Sequence, residues 1–176
     1  MRDNEPTKEI SNITIGFSTS YTIISKIIRW FTKSRVSHTY IAFDDSNLEK
    51  RIIMEANLYG YKLMQYECWI RKNKVVAEFV CKEDLTKSLK YMAKELGKDY
   101  DFWSALGLVV RRWVSKRYKN PFRNSRKMHC SEAITLFLQR TELALELDPK
   151  STTPEDLLQY CLQNNNFEEV DVFNSK

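Results

Sequence analysis

Cys130 is the residue best placed in this sequence to do chemistry. It stands in Met128-His129-Cys130-Ser131-Glu132-Ala133-Ile134, where small and acidic residues open an apolar helical pattern. The first N–H groups of a helix lack intrahelical acceptors, and together with the helix dipole they stabilise a thiolate and, later in an acyl transfer, an oxyanion. A nucleophilic thiol also needs a base that removes its proton and returns it to the leaving group, and an imidazole does both. The chain has two histidines, His38 and His129. Side chains adjacent at a helix entry diverge, which makes a His129–Cys130 hydrogen bond awkward, so His38 is the better base. Glu55, an acid inside the apolar run Ile52-Ile53-Met54-Glu55-Ala56, is the candidate to accept the second ring N–H and fix the tautomer. Each residue also has a plainer reading. A cysteine ahead of an apolar helix is more often packed than catalytic, a strand histidine is more often a hydrogen-bonded structural residue, and a lone acid in an apolar run often faces solvent.

These residues need elements to hold them. Ile13 to Phe17 read as a short strand, and Ser20 to Lys33 as a helix, with Ile23, Ile24, Ile27, Ile28 and Phe31 on one side to pack against a sheet. Ser37 to Phe43 alternate as a strand with His38 at its start, and a polar turn follows at Asp44 to Asn47. Arg51 to Ala56 and Tyr61 to Tyr66 flank the turn Leu58-Tyr59-Gly60 as a hairpin, and Lys74 to Cys81 give one more strand. After Lys82 the apolar period changes from two to about 3.6. Helices are expected at about 83–96 (stopping at Gly97), 101–117, 130–140 and 154–164. The last is announced by Thr153-Pro154-Glu155-Asp156, with a capping threonine, proline in the first turn and acids near the positive end of the dipole. Phe167 to Phe173 alternate as a final strand.

The expected class is α+β, with a small, mostly antiparallel sheet packed against helices. At 176 residues the chain has the size of one domain, taken as residues 13–176 behind a polar tail at 1–12. Hydrophobic content of 43% excludes a disordered chain. Cys68, Cys81, Cys130 and Cys161 are widely spaced without a Cys-x-x-Cys pair, which argues against zinc and a disulfide framework; the first, second and fourth read as buried small hydrophobes. No metal or cofactor is expected. The start of the chain carries no signal-peptide core, and no run approaches the roughly 18 apolar residues of a spanning helix, so the expectation is a cytoplasmic protein, with delivery by a phage particle leaving no mark in the sequence.

The order of the motifs resembles that of circularly permuted NlpC-type papain-like hydrolases, the YiiX-like group. Ser37-His38 before an apolar strand, a second strand ending in Glu55-Ala56, and Gly60 are similar to that family's opening. Gly97-Lys98-Asp99-Tyr100-Asp101-Phe102 resembles its Gly-x-x-Tyr-Asp-Phe segment, Cys130-Ser131-Glu132 its nucleophile motif, and Thr153-Pro154-Glu155-Asp156-Leu157 its late helix start. The resemblance spans about residues 13 to 160 and implies a papain-like fold with its halves exchanged, so that histidine precedes cysteine. It further implies Cys130 as nucleophile, His38 as general base, Glu55 as the residue that orients the ring, and Tyr100 near the cleft or the oxyanion, with a core role equally open. Glu132 would support the helix start. The sequence departs from the family's pattern at Thr39-Tyr40-Ile41, where a small residue is more usual; Tyr40 either narrows the cleft or faces the other side.

The implied reaction is acyl transfer through a thioester: an amidase or peptidase, with cell-wall peptides as one substrate class, or a lipid-directed acyl hydrolase or acyltransferase. A different class is a non-catalytic binding or virion structural protein that keeps the fold. The net charge of +5 comes from one acid-free stretch holding Arg111, Arg112, Lys116, Arg117, Lys119, Arg123, Arg126 and Lys127, without which the chain would be negative. With Trp113, Tyr118 and Phe122 interleaved, it is a candidate surface for an acidic substrate or an anionic membrane, or a solvated face; nucleic acid is the least supported partner, since no recognition motif accompanies it.

Overall fold

The computed structural model describes residues 9–100 and 127–170, apart from the side chains of Ile24, Phe31 and Thr32. The predicted helix at 101–117 and the basic residues Arg111, Arg112, Lys116, Arg117, Arg123 and Arg126 lie outside the described residues.

The class is α+β, as expected. Five strands and a short sixth form one antiparallel sheet in the order β4-β3-β2-β1-β5-β8. They are β1 (Ile10–Ser20), β2 (His38–Asp45), β3 (Lys50–Asn57), β4 (Gly60–Gln65), β5 (Asn73–Cys81) and β8 (Phe167–Val170). A two-residue parallel pair, β6 (Asp99–Tyr100) with β7 (Lys127–Met128), forms a second small sheet beside β4. The described helices are α1 (Ile23–Thr32), α2 (Tyr66–Trp69), α3 (Thr86–Ala93), α4 (Cys130–Gln139) and α5 (Pro154–Gln163).

Alternation sorts the strands into two faces. Ile15, Phe17, Ile41, Phe43, Ile52, Met54 and Phe79 point to one side, where Leu89 and Met92 of α3, Ile134 and Phe137 of α4, and Leu157 and Leu158 of α5 complete the main core. Tyr40, Ala42, Ile53 and Val75 point to the other, where Trp69 of α2 covers them. Both faces are therefore buried in the centre. This is why β2 and β3 read as near-continuous apolar runs.

Gly16 is where the two middle strands meet closely. It pairs with Tyr40 in the β1–β2 register and with Glu78 in the β1–β5 register. The Tyr40 ring lies across the glycine, so that a Cβ built there would stand 2.0 Å from the ring, and its hydroxyl donates to Glu78 Oε1 at 2.6 Å. Glu78 is in turn paired with Arg51 at 2.9 Å, and the guanidinium also reaches Asp44 and Thr14. Tyr40 thus faces away from the main core, packed at a tilt against Trp69 with ring centroids 4.5 Å apart. Gly60 serves differently: its φ of +100° suits glycine, and the carbonyl of Lys98 approaches where a side chain would stand.

Three expectations need correction. The sheet begins at Ile10, so residues 10–12 belong to β1 and not to a tail; Asn12 takes a positive φ at a bulge and its amide donates to Asp44 at 2.7 Å, which lets a polar stretch enter the strand. Cys68 is exposed on α2, whereas Cys161 is buried and Cys81 half-buried. The apolar stripe of α1 does not pack against the sheet in full, since Ile23 is 75% and Ile27 43% exposed. Periodicity reports that a helix is amphipathic, not what covers it.

Candidate active site

The site is assembled at one end of the sheet. β1 ends there, β2 starts there with His38, and Ser18 pairs with His38. The β2–β3 register, with Ile41 opposite Met54, brings the end of β3 to the same place. Glu55 therefore reaches His38 although the turn between the strands is at the far end.

The His38 ring Nε2 is 2.7 Å from Glu55 Oε2. The same carboxylate oxygen accepts the indole N–H of Trp69 at 2.7 Å, and the other oxygen accepts the amide of Asn57. Asn57 also accepts the backbone N–H of Tyr59 at 2.9 Å, which ties the hairpin turn to the carboxylate. Glu55 is buried, and burial alone would raise its pKa. The hydrogen bonds from His38, Trp69 and Asn57 and the charge of His38 outweigh that and hold it below its ordinary value. A carboxylate with three donors does not swing, so the ring it meets is fixed too.

Cys130 is the first residue of α4, and its N–H is one of those that helix geometry leaves without an intrahelical acceptor. With Nε2 committed to Glu55, the other ring nitrogen of His38 is free for the thiol. The two side chains set each other's ionisation. Burial pushes the Cys130 thiol up, but the charge of His38, its hydrogen bond and the backbone N–H of Thr39 bring the thiol below its ordinary value. Burial would likewise depress His38, yet the thiolate and Glu55 raise it to about 10. The Thr39 hydroxyl lies near the sulfur without completing a hydrogen bond of ordinary geometry. The favoured state is therefore a thiolate facing an imidazolium.

His129 has a different task. It caps α4: its Nδ1 accepts the Glu132 N–H at 3.2 Å, while the Glu132 carboxylate accepts the His129 N–H and holds Lys150 Nζ at 2.5 Å. Burial and the nearby Lys150 charge push its pKa down to about 3, so it stays neutral. His129→Asn, which keeps a capping acceptor, is expected to leave the alkylation rate of Cys130 within about twofold of the parent, whereas His38→Ala slows it greatly; peptide mapping after iodoacetamide treatment separates Cys130 from exposed Cys68.

Of the residues singled out from sequence, Cys130, His38 and Glu55 come together. Tyr100 is half-buried in β6, whose pairing with β7 carries it alongside Met128, two residues before Cys130. Lys127 is half-buried in β7, and its carbonyl accepts Lys150 Nζ at 3.2 Å. Trp69, Asn57 and Thr39 were not foreseen. Trp69 could have been suspected as an indole that needs an acceptor when buried, but nothing in its neighbourhood points to Glu55.

No family model matches the chain, and no curated protein matches it in sequence. The site's reading rests on its own geometry.

Proposed function

We propose that this protein is a cysteine hydrolase, an amidase or esterase of the permuted NlpC-type papain-like kind, that works through a thioester on Cys130. The observation that carries this reading is the chain Cys130–His38–Glu55, held at its far end by Trp69 and Asn57. A structural histidine does not require an adjacent thiol at the tip of a helix, and a packed thiol has no use for an imidazolium.

In the proposed reaction the Cys130 thiolate attacks the substrate carbonyl carbon, and the carbonyl electron pair moves to oxygen. The Cys130 N–H at the helix tip is the donor placed to stabilise that oxyanion. As the intermediate collapses, the bond to the leaving group breaks and His38 gives it a proton, leaving an acyl-thioester and a neutral ring. Water, deprotonated by His38, then attacks the thioester; the acid leaves and the thiolate–imidazolium pair is restored. Glu55 keeps the ring oriented and stabilises its charge.

Turnover should follow a bell-shaped pH profile. It falls on the acid side as the thiolate takes up a proton, and on the alkaline side as His38 loses its proton near pH 10 and with it the ability to protonate a leaving group. Hydrolysis of p-nitrophenyl acyl esters and of cell-wall peptide amides, with Cys130→Ala as the blank, tests the reading. Turnover that survives Cys130→Ala would overturn it.

A further inference from the structure

We propose that α1 is a docking element for an anionic phospholipid surface, which it seats beside the site of Cys130. The helix exposes Ile23, Ile27 and Trp30 on one stripe, spaced four and three residues apart, and Tyr21 precedes it 81% exposed. At about 100° per residue, Lys26 falls on the row beside that stripe, and Lys33 follows at the C-cap of the helix. Both are exposed, as is Arg35 just beyond the helix. From Ile10 to Phe43 the chain has no acidic residue. Aliphatic side chains and an indole along one face, with lysines on its flank, match the boundary between acyl chains and anionic headgroups.

The position matters as much as the composition. Ser25 of α1 is bonded to Ser37 at 2.7 Å, one residue before His38, and Ser34 just after the helix donates to Glu155 at the start of α5. The helix is thus tied to the segment that leads into His38 and to the start of α5. A second apolar element stands at the same end of the sheet: the hairpin tip Leu58-Tyr59, 55% and 87% exposed, follows Glu55 and Asn57, and Lys62 lies over the Tyr59 ring. Glu155, the acid that Ser34 meets, has its carboxylate engaged by Ser34 and Gln159. A two-fold contact between copies of the chain through α1 would oppose Lys26, Lys33 and Arg35 to themselves, so the charge favours a lipid partner over a second copy.

The docking does not depend on the proposed catalysis, and the experiment separates the two. The full chain, its Cys130→Ala variant and the double variant Ile23→Ser/Trp30→Ser are sedimented with vesicles of phosphatidylserine and phosphatidylcholine, and with vesicles of phosphatidylcholine alone. Circular dichroism confirms that the double variant is folded; if it is not, Lys26→Glu/Lys33→Glu takes its place. The parent and Cys130→Ala are expected to partition alike onto the anionic vesicles. The surface variant should lose about tenfold or more, since two large apolar contacts are removed, and neutral vesicles should bind weakly. A parent chain that stays in the supernatant, or a folded surface variant that binds as well as the parent, overturns the proposal. So does a parent that does not bind vesicles and is dimeric only while Ile23 and Trp30 are present, which would make a second copy the occupant.

Discussion

At pH 5, His38→Ala is expected to slow alkylation of Cys130 by about 10- to 100-fold. An ordinary thiol, with a pKa near 8.5, is ionised in roughly one molecule in 3,000 at that pH. A thiolate held by an imidazolium stays ionised to lower pH than an ordinary thiol, although its intrinsic nucleophilicity is lower because its pKa is lower, and that offsets part of the gain. The parent rate should therefore begin to fall at lower pH than the variant's, which should drop about tenfold per unit below its thiol pKa. Cys68, exposed on α2, serves as an internal reference. In the parent, buried Cys130 should react faster than exposed Cys68 at pH 5. The opposite order would mean that the pair is not ionised.

The second large effect is on the fold. Gly16→Val is expected to cost about 3 kcal/mol or more, out of the roughly 5–15 kcal/mol that a domain of this kind has. The added side chain needs the space of the Tyr40 ring, and the ring cannot move without leaving Trp69 and the Glu78 carboxylate. Glu78 would then remain buried with one fewer donor beside Arg51. Because the two residues share one volume, Gly16→Val and Tyr40→Ala should be strongly sub-additive when combined, as urea unfolding midpoints will show. Additive losses would mean that the ring does not lie on the glycine.

How much of this was legible in the sequence depended on range. Alternation in Thr39 to Phe43 and in Ile52 to Ala56 gave the strands, and Thr153 with Pro154 gave the start of α5, because those signals are local. Glu55 drew notice as an acid in an apolar run, and its partner could be reasoned from the pairing of two strands. Trp69 could not. It lies on a four-residue helix with no periodic pattern, and its role arises because α2 crosses the sheet face that carries Glu55. Tyr40 was ambiguous for a similar reason: alternation says that neighbours face opposite sides, but not which side holds the helices. The explanation was in Gly16, a residue of another strand, whose missing side chain is the space the ring occupies.

α1 taught the complementary point. Its isoleucines recur as they would in a packed helix, yet Ile23 and Ile27 face outward. A stripe signals that an apolar partner is wanted, and the same stripe serves a core or a surface.

The central claim is that Cys130 carries the acyl group, and intact-mass measurement tests it most directly. On rapid mixing with an activated acyl ester at pH 6, the parent should gain the mass of one acyl group within a turnover, mapped to Cys130 and released by hydroxylamine. Cys130→Ala should gain none, and His38→Ala should gain it far more slowly. A folded parent that gains no acyl mass, or that is acylated at Cys68 as readily as at Cys130, would contradict the account.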